Sequence, residues 1–316
     1  MKMSVVVPYL NGLDDSKGAM GLLKYVTSPE TEYVIIDNGS TDPVEDFFTK
    51  IIKPKRMNYI RNEENIGMIK TQQQGYEGAS GDVIAFLHND VFIYDTQWTQ
   101  KVIDAFTNDS KLGALGFFGA QGCGPLGERI QDVRYPGQMA GWSNLLEAEK
   151  HGMRLETPRG LEYALQPCAI FDGLCMIFRK EMLDKAGGFD NRYIFHHLYD
   201  RSAALQSLAT GYHNAVINIS CHHWGGMTAN RSEYQNWINK QLPEHANYIR
   251  PGETNVIGAD MWTHDENSRK FKQIWEDVLP LYVEDDYSFR TEGFFNGIPF
   301  KGDKIVGCDW LTKKIN

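Results

Sequence analysis

Short apolar runs separated by segments whose apolar positions recur at helical spacing fill the first part of the chain, and they predict alternating strands and helices. Residues 4–7, 33–36, 57–60, 82–87 and 112–118 read as strands. Residues 16–26 read as a helix with Leu22, Leu23 and Val26 inward; a second spans about 67–79, and 96–107 carries the stripe Trp98, Val102, Ile103 and Phe106, which suits core packing. Alternation of this kind calls for an α/β fold whose mostly parallel sheet is flanked by helices, and strands apolar along their whole length are buried on both faces.

Two of these runs end in carboxylates. Val83-Ile84-Ala85-Phe86-Leu87 runs straight into His88-Asn89-Asp90, and Tyr33-Val34-Ile35-Ile36 into Asp37-Asn38-Gly39-Ser40-Thr41-Asp42. In open α/β sheets ligands collect beyond the carboxyl ends of the strands, so Asp90 is placed where a metal would sit. A single Asp at a strand end also serves as a turn former or helix cap, and Ser40 and Asp42 fit that simpler role. Paired acidic strand ends favour one shared site.

Regular patterning stops between residues 119 and 160, where glycines, Pro125, Pro136 and isolated aromatics predominate; a segment of that length suits a cover over a site or a plain insertion. Residues 201–210 read as a helix and 215–219 as a strand, followed by Cys221-His222-His223-Trp224-Gly225-Gly226. Helices at 232–246 and 268–278 are expected in the last part of the chain, whose terminus carries no clear pattern.

Composition narrows the class. The chain has 316 residues, 42% hydrophobic and 12% aromatic, enough for a substantial core. A net charge of −9 opposes non-specific attraction to nucleic acid or anionic membrane. No window approaches the roughly 18 uninterrupted apolar residues of a membrane span, and no secretion signal is evident, so a cytoplasmic protein is expected. Its 5 cysteines form no close ligand pattern and read as reduced thiols.

Several motifs in order resemble the family 2 glycosyltransferases of the GT-A fold. Ser4-Val5-Val6-Val7-Pro8-Tyr9-Leu10-Asn11 resembles the family's first nucleotide-binding strand, and Val34 to Asp42 its second. Asn62-Glu63-Glu64-Asn65-Ile66-Gly67 resembles its turn into a helix, and Gly78-Ala79-Ser80-Gly81-Asp82 leads to the strand carrying its metal motif, here His88-Asn89-Asp90. Phe171-Asp172-Gly173-Leu174-Cys175 and Gly187-Gly188-Phe189-Asp190 are similar to its acceptor-side strand and loop. The likeness spans about residues 3–230. It implies a Rossmann-like, mixed but mostly parallel sheet in a catalytic domain over 1–230, with a nucleotide-sugar half at 1–118 and an acceptor half at 119–230. Residues 231–316 would then be a C-terminal extension that shapes the acceptor site or a homo-oligomer contact.

The resemblance further implies an inverting transfer from a nucleoside diphosphate sugar to an acceptor hydroxyl, a glycan by default, with a protein or modified nucleic acid as less favoured acceptors. Pro8, Tyr9, Asn11, Asp37, Asn38, Gly67, Lys70, Asn89, Asp90, Asp172 and Gly173 would line the donor site, with Asp37 on the base or ribose. Asp90 would hold Mn²⁺ or Mg²⁺, with His88 and a late histidine, His223 or in reserve His222, as further ligands. The family's motif carries a carboxylate where His88 stands, and imidazole favours Mn²⁺ over Mg²⁺. Phe195-His196-His197-Leu198-Tyr199-Asp200 resembles the segment bearing the catalytic base, which falls on Asp200; Ser202 stands where many relatives have a second acid. An Asp at a helix start is also a common cap. Adjacent His196 and His197 on an extended segment would point to opposite sides, leaving at most one toward the site.

Two other classes are compatible with these residues. A nucleotidyltransferase of related architecture needs a glycine-rich, basic loop after the first strand, which Pro8-Tyr9-Leu10-Asn11-Gly12 lacks. A non-catalytic sugar-binding or scaffold protein fits the missing acids at positions 88 and 202, against the presence of Asp37, Asp90 and Asp200.

Overall fold

A computed structural model describes residues 1–130, 165–225, 231–290, 300–301, 304–305 and 310–315. Much of the irregular segment expected at 119–160 therefore lies outside the described residues, as do Gly226 and Cys308.

The first half carries β1 (Met3–Tyr9), β2 (Glu32–Asn38), β3 (Met57–Asn62), β4 (Val83–Leu87), β5 (Val91–Ile93) and β6 (Leu112–Gly116). Short strands β7 (Gly119–Ala120), β8 (Gly122–Cys123) and β9 (Arg129–Ile130) follow, then β10 (Leu165–Pro167), β11 (Ile170–Phe171), β12 (Cys175–Arg179), β13 (His213–Ile217) and β14 (Cys221–His223). The main sheet runs β10-β13-β6-β12-β4-β1-β2-β3. Pairs β4–β1, β1–β2, β2–β3 and β13–β6 are parallel, while β12 runs antiparallel to both β4 and β6. The sheet is mixed, as expected.

Period-two alternation divides each central strand between two cores. Val6, Ile84 and Phe86 pack on one face, whereas Val5, Val7, Val83, Ala85 and Leu87 pack on the other. Each buried Val, Ile, Leu or Phe of this set stabilises the fold by roughly 1.5–3 kcal/mol, so β1 and β4 are firmly placed. Helices Leu13–Val26 and Trp98–Asn108 cover the second face. The first begins earlier than the expected 16–26 and buries Leu23 and Val26, with Leu22 only partly covered.

Residues beyond 231 form helices Ser232–Gln241 and Gly258–Trp275 and strand β15 (Leu281–Val283). The long helix begins about ten residues before the expected 268–278. Phe271, Ile274, Trp275 and Leu281 join the same core as Val6 and Phe86, and β15 pairs with β8. This segment thus completes the core of the sheet. Among the described residues no helix is long and apolar enough to cross a membrane.

Candidate functional site

His88, Asn89 and Asp90 leave the end of β4, and the next strand fixes what meets them. β5 pairs antiparallel with β14 in a register that sets Val91 against His223 and Phe92 against His222. Alternation along β14 turns His223 to Asp90, with Nε2 3.2 Å from Asp90 Oδ1, while His222 faces the Phe92 ring at 6.2 Å. The His88 ring lies 5.6 Å from that of His223, and one ligand atom each from His88, Asp90 and His223 fall within 4.8 Å of one another.

This donor set fits a divalent cation. Ligand atoms bonded at about 2.0–2.2 Å stand roughly 3 Å apart, as His223 and Asp90 do. Burial pushes the Asp90 carboxyl up, but the His223 ring 3.2 Å away outweighs it and holds it below the usual range. Burial drives His88 down, which favours the neutral imidazole whose lone pair can bind a metal. His88 Nε2 lies 3.1 Å from the Tyr199 hydroxyl.

The cavity beside this cluster lies past the carboxyl ends of β1, β2 and β4, where the strand order turns back on itself between β1 and β4, the expected ligand position in an open sheet. Pro8, Tyr9, Asn38, Gly67, His88, Asn89 and Asp90 line it. Asn38 is held by its own carboxamide, which donates to Asn65 Oδ1 at 2.8 Å and accepts from the Ile66 N–H at 3.1 Å. Gly67 has φ 84° and ψ 156°, a backbone region essentially reserved to glycine, and a Cβ there would lie 3.0 Å from Phe195 Cα. Tyr9 donates to or accepts from Ser16, and burial pushes its hydroxyl up to about 12.

Other expected donor residues stand outside the cavity lining. Asp37 is fully buried; its carboxylate accepts from Arg61, from the Tyr59 hydroxyl at 2.7 Å and from the Ser40 N–H at 2.8 Å. Asn11, at φ 52°, accepts from the Thr41 N–H at 2.8 Å and ties the first loop to the second. Lys70 is exposed, because helix Met68–Gly78 presents Met68 and Thr71 to the cavity instead.

Asp172, Gly173 and Asp200 form a knot behind the cavity. Asp200 Oδ2 accepts the Gly173 N–H at 3.1 Å, and the Arg201 guanidinium reaches both Asp200 oxygens at 3.0 and 3.1 Å. Asp200 is 5% exposed and sits in the first turn of helix Tyr199–Ala209, whose N-cap position is held by Leu198. Asp172 pairs with Arg129; burial pushes its carboxyl up, yet Arg129 and Arg201 bring it down to about 2. The Tyr199 hydroxyl packs against Gly173, where a Cβ would collide with it, and Tyr199 rather than Asp200 lines the cavity.

Sequence reasoning missed most of the far wall, which is made of Phe195, His196, Tyr199, Tyr234 and Trp237. It also missed Leu10, Asn65, Met68 and Thr71 on the near side. Aromatic spacing in 234–237 was the available signal. Of the two adjacent histidines only His196 lines the cavity, as expected, but the reason differs, because the segment is not extended: Phe195, His197 and Leu198 have φ 51°, 70° and 60°. Both rings turn the same way, with centroids 3.7 Å apart, and both reach Asp260.

Comparisons with known proteins bear on the family and the fold. The glycosyl transferase family 2 profile matches residues 4–187. An uncharacterized glycosyltransferase of Rickettsia felis is 32% identical over 93 residues, 29% of this chain and 15% of the relative. The O-antigen biosynthesis protein RfbC of Myxococcus xanthus is 23% identical over 193 residues, 61% of this chain and 15% of RfbC. The chain thus spans only a small part of the length of these curated relatives. Among solved structures, GalNAc-T7 with UDP, GalNAc and Mn²⁺ superposes with a TM-score of 0.55 at 14% identity, covering 88% of this chain and 56% of that one. That likeness concerns the fold, and the mixed sheet flanked by helices is of the GT-A type. With more than half of its length matched by the profile, the chain belongs to glycosyl transferase family 2.

Proposed function

We propose that the chain is an inverting glycosyltransferase that moves a sugar from a nucleoside diphosphate sugar to an acceptor hydroxyl. The observation that carries this reading is the cluster of His88, Asp90 and His223, two of which, His88 and Asp90, line a cavity beyond the carboxyl ends of β1, β2 and β4. The nucleotide would lie along Pro8, Tyr9, Asn38 and Gly67, bringing its diphosphate toward Asn89 and Asp90. Mn²⁺ or Mg²⁺ held by His88, Asp90 and His223 would supply Lewis-acid stabilisation of the leaving diphosphate. The two imidazoles favour Mn²⁺. His222 has no part in this set. Asp37, pinned by Arg61 and Tyr59, would fix the Asn38 turn, and a direct bond to the nucleotide base would need it to exchange one of these partners. Asn11 would act through the same turn, and Asp172 and Gly173 through Asp200.

Asp200 is the base in this reading, sharing its oxygens between Arg201 and the acceptor hydroxyl as the proton is taken. Displacement in one step from the face opposite the leaving group inverts the anomeric centre. A glycan is the acceptor class the family favours. A cytoplasmic location belongs to the same reading, supported by the buried thiols of Cys123, Cys168 and Cys175, none of them in a disulfide. We place the catalytic domain at 1–230, with 231–316 supplying Tyr234 and Trp237 to its cavity.

One observation favours a second reading, a non-catalytic sugar-binding protein: Asp200 is buried, bonded to Arg201 and the Gly173 N–H, and outside the cavity lining. A panel of nucleotide sugars tested by thermal shift with and without Mn²⁺, followed by product analysis of any hit, separates the readings. Metal-dependent release of nucleoside diphosphate is expected. Release of pyrophosphate would mean a nucleotidyltransferase, and binding without turnover the non-catalytic protein.

A further inference from the structure

A second constellation of ligand atoms stands apart from Asp90. His196 Nε2 lies 3.1 Å and His197 Nε2 3.3 Å from the same oxygen, Asp260 Oδ1, and the three ligand atoms fall within 4.8 Å of one another. These spacings match the edges of a coordination shell with bonds of about 2.0–2.1 Å. His196 Nδ1 lies 2.7 Å from the Tyr234 hydroxyl, the outer hydrogen bond that fixes a metal-binding imidazole.

The backbone is bent to make this cluster. Three non-glycine residues within 195–198 adopt left-handed conformations, each costing on the order of 1–3 kcal/mol, and such strain gathers at functional sites. It is held by Asn267, fully buried on helix Gly258–Trp275, whose carboxamide donates to the carbonyls of Ile194 and His196 and accepts the Ile194 N–H at 2.8 Å. The same helix carries Asp260 in its first turn. An ordinary loop has no need of this arrangement.

We propose that His196, His197 and Asp260 form a second divalent-cation site, a two-histidine, one-carboxylate set suited to Zn²⁺ or a neighbouring late first-row ion. His196 lines the cavity described above, and His197 lines a separate cleft of about 790 Å³ bounded by Arg201, Tyr248, Arg250 and His264. The site therefore sits in the wall between the two, with coordination positions left for an oxygen ligand. If the transfer reading holds, that oxygen is an acceptor hydroxyl. The cation site itself does not depend on it.

Calorimetric titration of Zn²⁺ into the metal-stripped full chain, with no nucleotide present, tests the site. A Zn²⁺ site retained in Asp90→Ala and lost, by at least about 100-fold in affinity, in both His197→Ala and Asp260→Asn is expected. Melting curves identify any variant that fails to fold; Asp260→Asn, nearly isosteric, keeps the test valid if His197→Ala does. Equal Zn²⁺ affinity and stoichiometry in the wild type and a folded Asp260→Asn or His197→Ala chain would overturn the proposal. Failure of the transfer reading would show instead as absent donor turnover with this Zn²⁺ site intact.

Discussion

On the strand-end side of the cavity, Pro8, Tyr9, Asn38 and Asp90 sit at or just past the ends of strands clamped on both faces by core side chains. The opposite wall takes Phe195 and His196 from strained backbone, and Tyr234 and Trp237 from a helix that follows the family match. In the first wall, position is supplied by burial elsewhere, so a lining side chain can change without moving the frame. In the second, the residues hold one another, through Tyr234 to His196, His196 to Asp260 and Asn267 to the loop carbonyls. Function and stability are separable on one side and joined on the other.

The largest effect expected is that of Asp200→Asn. Asn retains the size and can accept the Gly173 N–H, but cannot take a proton at neutral pH. Turnover with the true acceptor should fall by roughly 10²- to 10⁴-fold while donor affinity stays near wild type. Near-normal steady-state turnover would remove Asp200 as base and leave it the structural partner of Arg201. Next in size is Asp90→Ala, which should lower Mn²⁺-dependent donor affinity by about 100-fold or more while stability changes by no more than about 1 kcal/mol. Calorimetry with the donor, beside a melt, reads both. A comparable loss of stability would show that the strand-end wall is not independent of its lining.

The unequal construction of the walls also decides what could be read from sequence. β4 and its exit at His88-Asn89-Asp90 were legible because Val83 to Leu87 are apolar without a break, so the first polar residues mark where the strand leaves the core. His223 was legible as a partner, but its advantage over His222 lies in the β5–β14 register, which joins segments some 130 residues apart. Asp37 was legible as a strand end; that it is saturated was not, since Arg61 stands opposite it only through the β2–β3 pairing. Helix Val44–Ile51 passed unnoticed behind the Asn38–Asp42 turn although Val44, Phe47, Phe48 and Ile51 carry helical spacing. For His196 and His197 the expected outcome, one ring at the cavity, holds while its premise does not: both rings turn to Asp260, because alternation presumes extended backbone and left-handed φ values at non-glycine residues leave no mark in sequence.

Asn267→Ala tests the far wall. Its amide is buried and hydrogen-bonds two loop carbonyls, so its removal should cost about 2 kcal/mol. Relaxation of 194–198 should also displace His196 from Asp260. The expected outcome is a lower urea midpoint together with weakened Zn²⁺ binding in the same variant. Lowered stability with wild-type Zn²⁺ affinity would show that the loop keeps its shape without the clamp, and that this wall is not a single unit.

The smallest effect expected is that of His88→Asp, and it sharpens the description of the strand-end wall. Aspartate replaces a nitrogen donor by a hard oxygen and restores an acidic first position, which should move metal preference from Mn²⁺ toward Mg²⁺. The frame should tolerate the change, since His88 leaves the strand end with its backbone N–H fixed to the Leu174 carbonyl at 3.0 Å. The cost lies in the bond to Tyr199, which the shorter side chain gives up. Donor affinity measured with each metal should therefore show a few-fold shift in the Mg²⁺ to Mn²⁺ ratio and little change in melting temperature. An unchanged ratio would place His88 outside the coordination shell, as a partner of Tyr199, and leave Asp90 and His223 as the ligands.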